Sequence, residues 1–190
     1  VLGSGTMGGQ IAAHFANLGF DTTMFDTSEE ALSKSIAMMK KLKPTPFASP
    51  TVSGLIKTST YDDLAVISEC DFIIESIVEN LDIKKKLFKQ ISPYVNDNAI
   101  LVTNTSGLSI QKIAESAPDD LRSRIFGVHF FNPPRYLPLV ELIRTSYSDE
   151  SLLIKAEGFI TSALGKEVVY AKDSPAFVAN RIGVFSFMAV

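Results

Sequence analysis

The sequence contains no tryptophan and a single cysteine, Cys70, so no disulfide can form within the chain. That usage fits a reducing compartment, and we expect a cytoplasmic location. Histidine is nearly as scarce. His14 and His129 stand far apart with no His/Cys cluster around either, which argues against a metal site. Basic blocks are missing too: the formal net charge is −3 and both signs are mixed along the chain, so neither nucleic acid nor an anionic membrane is an expected partner. No apolar run is long enough to span a bilayer, and no repeat or low-complexity tract is present.

What is there is a globular composition. Of 190 residues, 46% are hydrophobic and 21% charged, enough for one domain with a real core. The organising stretch is Val1 to Gly8, a Gly-x-Gly-x-x-Gly loop (Gly3, Gly5, Thr6, Met7, Gly8) that runs into the alanine-rich segment Ile11 to Ala16. In such a loop Gly3 permits the turn out of a strand. Gly5 lets the backbone approach a pyrophosphate, and Gly8 lets the next helix pack on the sheet. The phosphates then sit at the helix N-terminus, where free N–H groups favour negative charge. A second β-run, Thr22 to Phe25, ends in Asp26, 18 residues beyond Gly8. A carboxylate at roughly that spacing binds the ribose of NAD. No Arg or Lys follows among Thr27 to Glu30 to neutralise a 2′-phosphate, so NAD is favoured over NADP.

Strand and helix patterns alternate along the chain, which points to an α/β fold. We expect a Rossmann-like, doubly wound, mostly parallel sheet. Helices are expected over residues 8–18, from Ser28 to Pro44, over 81–91, 109–116 and 149–164, with a small one over 62–67. Strands are expected over 55–58, 71–75, 99–103, 125–128, 139–143 and 167–170. The chain opens inside the first strand without an initiator methionine and so reads as a fragment. A last helix starts at Pro175 and is apolar almost all round from Ile182, which suits packing on a further domain or partner chain. We divide the chain into a dinucleotide-binding domain, residues 1–173, with its first strand truncated at Val1, and residues 174–190, the start of a helix leading to a C-terminal helical domain beyond Val190.

Ligands of open α/β sheets bind beyond the carboxyl ends of the strands. Asp26, Glu79, Ser106 and His129 all fall there. Hydride removal from an alcohol needs a base for the hydroxyl proton, and histidine titrates near working pH. Glu141, 12 residues on in an otherwise apolar strand, is a candidate to hold the ring if a turn at Asn132-Pro133-Pro134 folds that strand back. A structural His129 with Glu141 on a solvent face remains the alternative. His14, among alanines, reads as packing. Lys34, Lys40, Lys41 and Lys43 read as a solvated helix face, or else as a landing site for the phosphates of a large anionic substrate.

Several motifs in order resemble the NAD-dependent L-3-hydroxyacyl-CoA dehydrogenases: Gly3 to Gly8, Ile74-Glu75-Ser76-Ile77-Val78-Glu79, Asn104-Thr105-Ser106, His129-Phe130-Phe131-Asn132-Pro133, Leu139-Val140-Glu141, and Lys172 to Phe177 followed by Asn180-Arg181. The resemblance implies oxidation of an (S)-3-hydroxyacyl-CoA to the 3-oxoacyl-CoA, with His129 as base and Glu141 orienting it. It places Ser106 and Asn180 near the substrate's 3-oxygen, with Ser106 also close to the nicotinamide. Asp26, Glu79, Lys84 and Asn132 match NAD contacts. It implies a helical C-terminal domain through which the chains form homo-oligomers. The Lys40 to Leu55 connection looks shorter than in short-chain members, and Lys41 and Lys43 are the candidates left for CoA binding. Pro133-Pro134-Arg135-Tyr136 looks like large members with a fused hydratase. An NAD-dependent dehydrogenase of a free hydroxy acid or sugar acid, and a non-catalytic NAD-binding module, are the alternatives.

Overall fold

The computed structural model describes residues 1–188. Its elements are α1 (Thr6–Asn17), β1 (Thr22–Asp26), α2 (Glu29–Met39), β2 (Ile56–Thr60), β3 (Phe72–Glu75), α3 (Leu81–Ile91), β4 (Ile100–Thr103), α4 (Ile110–Ser116), α5 (Asp119–Arg122), β5 (Ile125–Phe130), β6 (Leu139–Ile143), α6 (Glu150–Gly158), β7 (Glu167–Ala171) and α7 (Ala179–Met188).

The short segment Val1–Gly3 joins the sheet together. Leu2 bridges Phe25 on one side and Glu75 on the other, both in parallel. Hydrogen bonds from Leu2 N to Ile74 O and from Gly3 N to Phe25 O anchor it. The spatial order is therefore β2, β1, Val1–Gly3, β3, β4, β5, β6, β7. All neighbours are parallel except β5 and β6. From Val1–Gly3 the chain winds outward through β1 and β2, then crosses to β3 and winds the other way. A doubly wound sheet has its ligand crevice at that reversal.

Strands β4 and β5 are buried at every position, as strands covered on both faces must be. Alternation splits their side chains between two cores. Leu2, Ile73 and Leu101 pack with Leu87, Phe88 and Ile91 of α3 and Ile113 of α4. Ile74, Val102 and Val128 pack with Ile11 and Phe15 of α1 and Leu153 of α6. Each fully buried leucine, isoleucine or phenylalanine stabilises the fold by roughly 1.5–3 kcal/mol. Ser28, Asn80, Ser109 and Asp149 cap α2, α3, α4 and α6 through their side chains.

Besides α5, a helical turn where no helix is expected, the observed elements depart from the expected ones in four places. Helix α2 stops at Met39 instead of reaching Pro44, because Lys41 N and Leu42 N turn back to Met38 O and Met39 O. The small helix at 62–67 is a 3-10 turn, Ala65–Glu69. The expected 149–164 helix is α6 followed by a π-helical turn, Phe159–Ala163. The last helix begins at Ala179 and not at Pro175, since Phe177 N closes a turn onto Ser174 O and both Ala176 and Phe177 adopt positive φ (62° and 48°). The final two residues of the expected helix, 189–190, lie outside the described ones. Among the described residues, no helix is long and apolar enough to cross a membrane.

Candidate active site

The carboxyl ends of Val1–Gly3, β1, β2, β3, β4 and β5 open on one cleft of about 970 Å³. The glycine loop forms its floor. Gly3 has φ +102°, and a Cβ there would meet Ser76 O at 2.6 Å. A Cβ on Gly8 would fall 2.0 Å from Gly3 O, so close packing of α1 on the turn excludes any side chain. At Gly5 a Cβ would meet nothing of this chain within 4 Å. Gly3, Gly5, Thr6 and Met7 line the cleft, whereas Gly8 is buried beneath it.

Asp26 stands at the end of β1, where its Oδ2 accepts from Ser4 N (2.8 Å) and Ser4 Oγ (2.5 Å), and Oδ1 from Thr27 N. Burial works to raise this carboxyl, but the hydrogen bonds from Ser4 and Thr27 outweigh it and hold it below the ordinary carboxylate value. Tyr61 sits beside it, just past β2, and stacks on Phe25 with ring centroids 6.3 Å apart. Burial, then the charges of Asp26 and Glu75, push the phenol well above its usual range, so it is a donor at neutral pH. Its buried hydroxyl has no partner among the described residues. Open space at Gly5 and an unpaired donor at Tyr61 both fit a polar ligand laid across the loop, as NAD would be.

The opposite wall carries the two residues expected to do chemistry. His129 and Glu141 face each other directly across the antiparallel β5–β6 pair. Nδ1 of His129 lies 2.8 Å from Oε2 of Glu141, which leaves Nε2 unengaged by that carboxylate. Phe131 and Phe177 flank the imidazole at 4.6 and 5.5 Å between centroids. Glu141 is 1% exposed and does not line the cleft; its other oxygen accepts from Val178 N and Ala179 N, both at 2.9 Å. Asn180, one residue on, enters the cleft from the first turn of α7. Glu141 does not stand on a solvent face: it is buried against His129.

Ser106 also lines the cleft, on the exposed loop after β4. Glu79 holds that loop: Oε1 accepts from Ser106 N (2.6 Å) and Gly107 N (3.2 Å), and Thr105 Oγ1 lies 2.6 Å from Oε2. Burial opposes ionisation of Glu79, but the bonds from Thr105 and Ser106, with Lys84 nearby, win and keep the carboxyl low. Lys84 reaches the cleft wall but is 1% exposed, its ammonium bound to Glu75. Asn132 lines the cleft and accepts from Gln10 Nε2 at 2.9 Å.

Lys41 and Lys43 are not brought to the cleft. They are exposed on the turn that follows the early end of α2, as are Lys34 and Lys40 on that helix and its end. Sequence reasoning missed Tyr61, Lys86 and Gln90, which line the cleft near Asp26. Tyr61 directly follows a strand end, the signal that found the others.

A doubly wound sheet with a glycine loop, an acid after the second strand and a cleft across its winding reversal defines a dinucleotide-binding domain of the Rossmann type, here with a His–Glu pair in its wall. A family model described as 3-hydroxyacyl-CoA dehydrogenase, NAD binding domain, matches residues 1–174, and the chain belongs to that family. It is 40% identical, over 99% of its length, to a probable 3-hydroxyacyl-CoA dehydrogenase of Bacillus subtilis. Over 97% it is 39% identical to a putative fatty acid oxidation complex trifunctional enzyme of Rickettsia felis. The chain spans only about a quarter (27%) of each of these relatives. The crystal structure of FadB2 from M. tuberculosis superposes with a TM-score of 0.87 at 31% identity, covering 99% of this chain and 68% of that one.

Proposed function

We propose that the protein carrying this domain oxidises an (S)-3-hydroxyacyl-CoA to the 3-oxoacyl-CoA, a step of fatty-acid β-oxidation, with NAD as hydride acceptor. The observation that carries the reading is the 2.8 Å His129–Glu141 contact on the wall of the cleft that the glycine loop floors. NAD, held by the Gly3–Gly8 loop, Asp26 and Asn132, supplies the hydride acceptor when bound. His129 takes the hydroxyl proton at Nε2 as the C3–H bond breaks and its electron pair departs as hydride; the O–H electrons become the new carbonyl bond. Glu141 fixes the ring's orientation, and its charge offsets the one the imidazole gains. Ser106 and Asn180 hold the substrate's 3-oxygen. Glu79 and Lys84, both in the cleft lining, are further NAD contacts, and Glu79 also holds the loop that presents Ser106.

In this reading α7, with Ile182, Val184, Phe185 and Met188 exposed, leads into a helical domain through which subunits pair. The Rickettsia relative and the Pro133–Tyr136 run support a large multifunctional protein. The test is NADH formation by the full-length protein from NAD and (S)-3-hydroxybutyryl-CoA or a longer homologue. His129→Gln should lower kcat by about 10²–10⁴-fold and leave NAD binding intact. Bound NAD with no turnover of any acyl-CoA would overturn the CoA assignment, in favour of a free hydroxy acid or a non-catalytic NAD-binding role.

A further inference from the structure

Glu75 takes no part in the chemistry above, yet it is 0% exposed at the end of β3 and its carboxylate is fully engaged. It accepts from Lys84 Nζ at 2.5 Å, Thr103 Oγ1 at 2.6 Å and Ile77 N at 2.7 Å. Burying an acid and an ammonium this deeply is costly, and the fold retains both. Two arms leave Glu75 and meet on the loop that bears Ser106. In one, Thr103 Oγ1 receives Thr105 N at 3.3 Å. In the other, Lys84 lies 3.5 Å from Glu79 Oε2, and Glu79 takes the Thr105 hydroxyl. Glu75, Thr103, Thr105, Glu79 and Lys84 thus close a ring, with two carboxylates sharing one ammonium.

We propose that Glu75 is a positioning residue for the reaction at Ser106: by holding the Lys84 ammonium on its own side, it leaves the Glu79 oxygens to the Thr105–Gly107 loop. The proposal rests on the reading of Ser106 as a substrate contact. Among the described residues, Glu79 is the only other acid within ion-pair distance of Lys84. Remove the charge of Glu75, and the ammonium closes on Glu79. A carboxylate that turns to meet it releases donors of the loop, Ser106 N first among them. Misplacing a substrate-holding group by about 1 Å costs on the order of 10²-fold in rate.

The test uses Glu75→Gln in the full-length protein, since glutamine keeps the shape and removes the charge. Expected is a fall in kcat of about 10–10²-fold with KM values for NAD and acyl-CoA held within about threefold, and faster hydrogen exchange at the Ser106 and Gly107 amides while those of β4 stay protected. Adding Lys84→Met removes the stranded cation and should restore protection of the Ser106 and Gly107 amides, a rescue that a simple loss of stability would not show. Unchanged kcat and exchange in Glu75→Gln, or a double variant whose amides are no better protected than those of the single, overturns the proposal. If Glu75→Gln does not fold, Glu75→Asp keeps the charge but withdraws the carboxylate from Lys84; it should loosen the same amides, and protected amides there would overturn the proposal equally. Exchange reads the ring whatever the substrate, so a protein inactive on acyl-CoA leaves this test standing.

Discussion

Alanine at Gly8 and alanine at Gly5 add the same methyl group to the same loop, but their consequences should separate cleanly. At Gly8 the new Cβ falls 2.0 Å from Gly3 O and 3.0 Å from Gly3 C, both backbone atoms. The turn is held in place, because Gly3 N is bonded to Phe25 O and its neighbour Leu2 is bonded to Ile74 O and Ser76 N. Helix α1 must therefore move off the sheet by on the order of 1 Å to restore ordinary contact. Overpacking of this kind costs about 1–3 kcal/mol, and with no flexible side chain to yield we expect the upper end, ~3 kcal/mol. For a chain of this size that lowers Tm by roughly 6–12 °C. At Gly5 the methyl meets nothing within 4 Å, and φ −60° suits alanine. The weaker N-cap and the stiffer unfolded chain oppose each other, each by about 1 kcal/mol or less, so stability should hardly move. NAD affinity should still fall by about tenfold or more, because the methyl stands where the pyrophosphate approaches. Calorimetric melting and NAD titration of both variants check this. A Gly5→Ala protein that binds NAD like wild type, or a Gly8→Ala protein that melts like it, would refute the reasoning.

Glu141→Gln should lower kcat by about 10²–10⁴-fold in the NADH assay, because one amide cannot accept from both His129 and the Val178 and Ala179 N–H groups. His14, bound to Leu164 O, is lowered from 6.5 to about 4 by burial, with Lys166 and Arg135 adding repulsion. The unfolded chain therefore takes up a proton at this residue before the folded one does, and stability drains away as pH falls from 6.5 to about 4; His14→Gln should flatten that limb of a Tm-against-pH curve. Asp173 accepts from Ser109 Oγ, Ile110 N and Gln111 N at the start of α4. Asp173→Ala should cost about 1–2 kcal/mol, read as a Tm lower by about 2–8 °C in thermal melts.

The parts of the site that follow from strand ends are legible in the sequence. The glycine loop, Asp26, Ser106 and His129 each sit where a β-run stops, and a doubly wound sheet gathers those ends. The dyad is only half legible. A turn at Asn132-Pro133-Pro134 brings β6 back, but a slip of one residue would send Glu141 to the other face, and register is a property of the folded pair. The roles of Glu79 and Lys84 are less legible still, because each charge is answered by a residue from another element: Lys84 by Glu75, and Glu79 by three successive residues after β4. Helix α2 misleads for a different reason. Leu42 continues the helical spacing of Leu32 and Met39, so the pattern carries past the point where the backbone turns out. The spacing thus puts Lys41 and Lys43 on a helix, whereas they stand on the turn after it and do not line the cleft.

Among the described residues one pairing in the sheet is antiparallel, and it is what brings His129 and Glu141 together. A parallel neighbour for β5 would need a crossover of a dozen or more residues; the eight residues from Phe131 to Pro138 suffice for the reversal seen here. Residues opposed across an antiparallel pair have Cβ atoms roughly 4.5–5.5 Å apart, a separation a histidine and a glutamate can close. Glu141 then has one oxygen left over, and the start of α7 brings it two N–H groups, the polarity a helix N-terminus offers an anion. The residue after those N–H groups is Asn180, already in the cleft. A single buried carboxylate thus sets both the orientation of the imidazole and the place where the C-terminal helix enters the site. Glu141 is the residue that joins that helix to the imidazole.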